Sequence, residues 1–302
     1  MREEHPKVSV IVPMTRPELS TQALASIRQQ CYKGEIETIV VEACDHSLAQ
    51  PWSITSVNRG PVPYPGKARN LGVSHATGDV LLFLDDDCTV EEDWVARNVQ
   101  ALKQPAVGVV GARIRGKSGT FFARGTDFAN FGDYQHGRSM DIPVAAASMA
   151  MPRKLFHAIS GFDETKRSSE DMDLCYRVQQ LGYRTVYRPD IVVTHNHRRD
   201  TLGKIVRHNY AHGRESGLTT KILYQSLGLK NRLLASVRFP PLFLLLLPLI
   251  AIAATARIVI VNVRTNPEVL LYAPVIFLAK LVYEFGVFRH LLSAAATMKH
   301  FS

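Results

Sequence analysis

Short β-branched and aliphatic runs recur along the first part of the chain, at residues 8–12, 36–41, 54–57, 80–84 and 107–110, and helix-compatible segments at 19–30 and 67–76 alternate with the early ones. Apolar runs without polar alternation read as strands covered on both faces. The alternation therefore predicts an α/β domain, Rossmann-like, with a mostly parallel central sheet and flanking helices. A later helix is expected over 169–181, with Leu174, Val178 and Leu181 on one face and Gly182 as its stop. Between them, residues 120–152 are rich in aromatics and then turn small and apolar from Val144 to Met151. This region reads as a substrate-facing loop and strand, with the aromatics near the acceptor and Met149 beside the donor sugar.

After Arg238 the pattern changes. Residues 239–256 are eighteen without a charge, and residues 269–288 are apolar apart from Lys280 and Glu284. A spanning helix needs about 17–25 mostly apolar residues, so the pair predicts a membrane-associated hairpin with at least one true span. Basic residues before it and Arg289 and Lys299 after it favour cytoplasmic ends; Arg257 and Arg264 in the connection count against that, and a monotopic anchor is the alternative. The expected division is a catalytic domain over 1–198, a basic amphipathic interface segment over 199–238, and the hairpin and tail over 239–302.

Composition narrows the partners. With 46% hydrophobic and 21% charged residues the chain can build a sizeable core. Its formal charge of +9 suits an anionic partner. Nine Lys or Arg against two acids over 198–238, directly before the apolar stretch, favour a membrane surface over nucleic acid. Cys31, Cys44, Cys88 and Cys175 form no CxxC pair and no disulfide framework, so a reducing compartment is the simpler reading. The segment before Val8 lacks the apolar core of a signal peptide, and the catalytic part is expected at the cytoplasmic membrane, on its cytoplasmic side.

In open α/β sheets ligands sit beyond the carboxyl ends of the strands, which directs attention to residues 13–16, 42–45, 58–59 and 85–87. Asp85, Asp86 and Asp87 follow the apolar run Val80-Leu-Leu-Phe-Leu84. Adjacent carboxylates repel unless a cation intervenes, and hard oxygen ligands suit Mg2+ or Mn2+, with Asp85 and Asp87 as the pair. The blander alternative is a solvated acidic turn before a helix at 91–102.

Five further motifs occur in order: Val8-Ser-Val-Ile-Val-Pro13, Gly66-Lys-Ala-Arg-Asn-Leu-Gly72, Gly78-Asp-Val-Leu-Leu-Phe-Leu-Asp-Asp-Asp87, Gly161-Phe-Asp-Glu164 and Ser169-Glu-Asp-Met-Asp-Leu174. Over roughly residues 7–197 the sequence resembles inverting glycosyltransferases of family 2, which have the GT-A fold. The resemblance implies a nucleotide-sugar donor carrying UDP, GDP or dTDP, and a nucleotide site built from Pro13, Thr15 and Arg16 after the first strand, from Glu42 after the second, and from Asp85 and Asp86. Glu42 stands where the family often has paired Asp. Lys67, Arg69 and Asn70 match the helix that serves the nucleotide or orders the metal-binding acids.

The resemblance also makes Glu170-Asp171 the family's Glu-Asp pair, with Asp171 as general base; an acceptor hydroxyl needs such a carboxylate to take its proton. The alternative is an ordinary acidic first turn capped by Ser168 or Ser169. Downstream, His195 is the expected third metal ligand, with His197 as its alternative. Arg214, in a basic aromatic stretch, is a candidate clamp for the diphosphate or a lipid-linked acceptor, or part of a snorkelling basic collar. The expected activity is transfer of a sugar to a hydroxyl of a lipid-linked or growing glycan. Cys88-Thr-Val-Glu-Glu-Asp-Trp94 differs from the phrase in enzymes resembling dolichol-phosphate mannose synthase, so transfer to bare polyprenyl phosphate is the alternative. A sugar nucleotidyltransferase or a non-catalytic nucleotide-binding membrane protein would be readings from other classes.

Overall fold

The structure is a computed structural model that describes residues 5–42, 55–57, 60–62, 64–117, 119–197, 199–226 and 239–299. Residues 43–45, 58, 59 and 227–238, singled out above, lie outside the described residues. The chain divides into two compact units, Met1–Lys117 with Arg138–Asn196, and Ser118–Gly137 with His197–Ser302.

The first unit is a mixed α/β sheet with flanking helices. Its strands are β1 (Val8–Met14), β2 (Ile36–Glu42), β3 (Thr55–Val57), β4 (Val80–Leu84), β5 (Cys88–Val90), β6 (Val107–Gly116), β7 (Met140–Asp141), β8 (Ser148–Pro152) and β9 (Arg184–His195). They are ordered β3-β2-β1-β4-β8-β6-β9-β5, with β7 on β9. The expected parallel pairing is found in the β3-β2-β1-β4 part and again between β6 and β9. Beyond it β8 runs antiparallel to β4 and β6, and β5 and β7 run antiparallel to β9. All five residues of β4 are buried, as its unbroken apolar run requires of a strand covered on both faces.

Helices α1 (Pro17–Arg28), α2 (Pro65–Ser74), α3 (Trp94–Leu102), α5 (Arg153–Ala158) and α6 (Glu170–Gln180) belong to this unit. Proline opens α1 and α2, where its missing N–H costs nothing. Gly72 lets α2 lie on β1: a Cβ there would stand 2.5 Å from Ile11. Glu37 fastens the edges of β1, β2 and β4. Its carboxylate accepts from Ser9 Oγ at 2.5 Å, Thr77 N at 2.6 Å and Gly78 N at 3.1 Å. Burial works to raise its pKa, but these bonds prevail and hold it down at about 2.

The second unit is helical: α4 (Phe121–Phe131), a short 3-10 helix (Gly132–Tyr134), α7 (Leu202–Ser226), α8 (Pro240–Asn262) and α9 (Val269–Lys299). The aromatic stretch expected as substrate-facing loop is therefore the helix α4, grouped with the C-terminal helices although it lies inside 1–198. Thr120 caps it, accepting from Ala123 N at 3.2 Å, and fully buried Phe128 stacks on Tyr272 at 5.8 Å. Gly125 hid the helix, since glycine costs about 1 kcal/mol in a helix interior. Here it admits α9, because a Cβ would meet Val275 at 2.6 Å.

The α8–α9 connection is tied to the same segment. Asn262 Nδ2 donates to Gly132 O at 2.8 Å, Asn266 Nδ2 to Gln135 O at 3.0 Å, and Arg124 pairs with Glu268 at 2.9 Å. Pro240–Asn262 and Val269–Ser293 are long and apolar enough to be candidate membrane spans.

Candidate active site

The loop after β1, the end of β4 and the start of β5 bring the first set of charged groups together. Asp86 is buried and saturated: it accepts from Thr15 N at 2.7 Å, Thr15 Oγ1 at 3.1 Å and Arg16 N at 2.8 Å, and pairs with the Arg16 guanidinium. Its carboxylate thus pins the β1–α1 turn. Arg16 also reaches Asp87 at 2.6 Å. Pro13, half-buried, is the penultimate residue of β1, just before this turn.

Asp87 faces His195 across the β5–β9 pairing, with Nε2 to Oδ2 at 3.2 Å, and Cys88 is opposite His195 in the strand register. Burial works to raise the Asp87 pKa, but His195 and Arg16 prevail and hold the carboxyl well below the usual range. Ligand atoms of Asp87, Cys88 and His195 all lie within 4.8 Å of one another. An oxygen, an imidazole nitrogen and a thiol at that spacing fit a divalent cation of intermediate softness. Asp85 stands outside this trio. Its side chain is about a third exposed, and its Oδ1 accepts from Arg69 at 2.8 Å.

Arg69 joins the two acidic corners. Buried on α2, it donates one nitrogen to Asp85 and the other to Glu170 at 2.5 Å. Burial opposes its charge, but Asp85, Glu170 and Asp171 outweigh that and raise its pKa. Asn70 is committed differently. Its amide accepts from Phe162 N at 2.9 Å and donates to Phe162 O at 2.9 Å and Glu164 at 3.0 Å. It fixes the Gly161-Phe-Asp-Glu164 turn, which Gly161 allows by a φ of +68°. Lys67 is exposed and, with Asn70 and Glu164, lines an open cavity of about 450 Å3 on the α2 face, lined also by Pro61, Leu71 and Ser74. Neither Asp87 nor Asp171 lines that cavity.

Asp171 is the second residue of α6, after Glu170, and no Ser168 or Ser169 side chain caps that helix; Ser169 is itself left-handed, at φ +61°. The carboxylate is instead held by Met172 N at 2.8 Å and Ala146 N at 3.1 Å. Burial, then the neighbouring Glu170, lifts its pKa to about 6, against the pull of those bonds and of Arg69. The turn before β8 also touches the acid run, since Asp85 N donates to Ala147 O at 3.3 Å. Ala146 and Ala147 thus sit between the two acidic corners through backbone groups that no side-chain motif announces; the run of small residues was their only trace.

Other expected residues lie elsewhere. Met149 does not line a ligand surface: it is 1% exposed in the middle of β8, paired with Phe83 of β4 and Gly111 of β6, because β8 is an interior strand. Glu42 ends β2 and is 1% exposed. His197 belongs to the helical unit, where Nε2 contacts Asp127 at 2.7 Å and Nδ1 accepts from Arg199 N at 3.0 Å. Both ring nitrogens are engaged, which leaves His195 as the histidine beside Asp87. Arg214 is exposed on α7.

The profile of the glycosyl transferase family 2 matches residues 9–159, half of the chain. A pre-mycofactocin glycosyltransferase of Mycobacterium tuberculosis is 29% identical over 167 residues, covering 52% of this chain and 35% of its own length, so this chain spans about a third of that relative. A glucosyl-dolichyl phosphate glucuronosyltransferase of Haloferax volcanii is 26% identical over 222 residues, covering 63% of this chain and 69% of its own. Among solved structures, a mannosyltransferase from Pyrobaculum calidifontis in complex with GDP-Man and Mn2+ superposes with a TM-score of 0.63 at 20% identity, over 96% of this chain and 88% of that one. At that identity the likeness is one of fold.

Proposed function

Because the chain belongs to glycosyl transferase family 2, we propose that it moves a sugar from a nucleotide-diphosphate sugar to a hydroxyl of a lipid-linked or growing glycan acceptor, inverting the anomeric carbon. The observation that carries this reading is the Arg69 bridge between Asp85 and Glu170, which ties the acid run to the first turn of α6, where Asp171 stands. Asp171 is the general base. It takes the proton of the acceptor hydroxyl as the new glycosidic bond forms and the bond to the diphosphate breaks on the opposite face. A carboxyl with a pKa near 6 is better matched to that task than one at its ordinary value.

Asp87 and His195, with Asp85 nearby, would hold a divalent cation, the imidazole suiting Mn2+ better than Mg2+, and that ion would supply charge stabilisation to the departing diphosphate. Asp86 orders the Thr15-Arg16 turn, and Arg16 and Lys67 provide positive charge for the phosphates. Arg69 positions Asp85 and Glu170, and Asn70 shapes the Phe162 turn.

A lipid-linked acceptor is supported by the name of the Haloferax relative and by the two candidate spans. The basic stretch ahead of the spans favours action at the cytoplasmic face. Nucleotide release from UDP-, GDP- and dTDP-sugars, measured with Mn2+ and with chelator, and with and without membrane lipid extract, tests the reading. The expected result is acceptor-dependent NDP release that chelation abolishes and Mn2+ restores. NDP release that no acceptor stimulates, or that chelation leaves unchanged, would contradict it.

A further inference from the structure

Cys88 stands beside the acid run without a task in the proposed reaction. It is fully buried at the start of β5 and paired in register with His195 of β9. Residues directly opposite in an antiparallel pair project to the same face, so the thiol and the imidazole share one side of the sheet. Asp87 completes the group: its Oδ1 is 3.8 Å from Cys88 Sγ, and its Oδ2 is 3.2 Å from His195 Nε2.

These separations are those of a coordination shell. Zinc binds sulfur at about 2.3 Å and nitrogen or oxygen at about 2.0–2.2 Å, so neighbouring ligands of a tetrahedral ion stand roughly 3.3–3.8 Å apart. Asp87, Cys88 and His195 offer one ligand atom each within 4.8 Å of the others, so closure on an ion takes only small side-chain movements. The backbones that carry them are fixed. Asn196 N donates to Asp87 O at 2.8 Å, Cys88 N to Asp85 O at 3.0 Å and Lys117 N to His195 O at 2.9 Å.

Cys175 is the contrast. It is also fully buried, but its Sγ meets the backbone of Val144, accepting from the N–H at 3.4 Å and donating to the carbonyl at 3.7 Å. A thiol that merely fills space, as free cysteines often do, needs no imidazole and carboxylate at ligand distance. Arg16 supplies the positive charge on Asp87 at 2.6 Å, and because its side chain is 41% exposed it can turn to solvent and yield the carboxylate to an ion.

We propose that Cys88 is a third protein ligand of the divalent ion, with Asp87 and His195, and that the trio selects a thiophilic ion such as Zn2+ or Co2+ over Mn2+ and Mg2+. The assignment rests on the metal site proposed above and adds to it the ligand that sets its preference. Carboxylate oxygen alone suits Mg2+ or Mn2+, imidazole widens the choice, and a thiolate turns it toward zinc. Coordination is by the thiolate, so the thiol proton leaves to solvent as the sulfur–metal bond forms. Zn2+ therefore competes with Mn2+ for Asp87 and His195.

Co2+ is the probe, because its bond to a thiolate gives a near-ultraviolet charge-transfer band that oxygen and nitrogen ligands do not. Titrated into the full chain in detergent micelles, Co2+ should produce this band in wild-type protein and in a variant with Cys31 and Cys44 replaced by serine. Cys88→Ser should lose it and bind Co2+ at least about tenfold more weakly, since losing even an outer-shell partner of a metal costs that much. Thermal unfolding shows whether the variant is folded. X-ray absorption at the zinc edge of zinc-loaded wild-type protein needs no variant: one sulfur at about 2.3 Å is expected. A band that persists in Cys88→Ser, equal Co2+ affinity in that variant, or zinc scattering from oxygen and nitrogen alone would overturn the cysteine ligand. Mn2+ that binds wild-type and Asp87→Asn protein equally, judged by loss of its free-ion paramagnetic resonance signal, would overturn the metal site itself.

Discussion

Arg69 and Glu170 are both buried, and they meet at 2.5 Å with Asp85 on the other guanidinium nitrogen. Removing one partner of such a pair leaves an uncompensated charge inside the protein, which typically costs about 3–5 kcal/mol. Arg69→Gln should therefore lower the unfolding free energy obtained from chemical denaturation by that order, whereas substitution of exposed Lys67 should stay within about 0.5 kcal/mol. Asp171 gives a second expectation. With its pKa raised to about 6, the carboxylate needed as base is present above that value and lost as pH falls through it. The rate of transfer at saturating donor should accordingly fall on the acid limb near pH 6. An acid limb near the ordinary aspartate range, about 4, would mean that another group takes the proton.

At the scale of elements, helix packing through glycine makes a direct prediction. A Cβ on Gly213 would strike the Tyr283 carbonyl, so Gly213→Val must separate α7 from α9. Overpacking of this kind costs about 1–3 kcal/mol, and thermal unfolding should begin at a visibly lower temperature than for wild-type protein. The elements most legible in the chain were those governed by local pattern. The apolar run 80–84 is β4 residue for residue, and the helix expected at 169–181 is α6 within a residue at each end. The parallel strands came from their continuous apolar character. The antiparallel partners β5, β7 and β8 depend on long-range pairing, which periodicity does not encode. The helix α4 was obscured by Gly125, whose role is a contact with α9 far away in the chain. In the site, side-chain motifs pointed to Asp85, Asp87, Asp171 and His195. The backbone groups of Ala146 and Ala147, the saturation of Asp86 by the β1–α1 turn and the commitment of Asn70 to Phe162 could be seen only in three dimensions.

At the scale of the whole molecule, this family 2 glycosyltransferase chain has an α/β unit carrying the acids and a helical unit carrying two candidate spans. The claim on which the rest depends is that Asp171 performs the proton transfer. The most direct measurement is sugar transfer by Asp171→Asn beside its affinity for the nucleotide-sugar donor, at a pH above 6. Loss of about 10²–10⁴-fold in transfer with donor affinity and thermal unfolding retained is the expected result. Near wild-type transfer by a folded, donor-binding Asp171→Asn protein would contradict it.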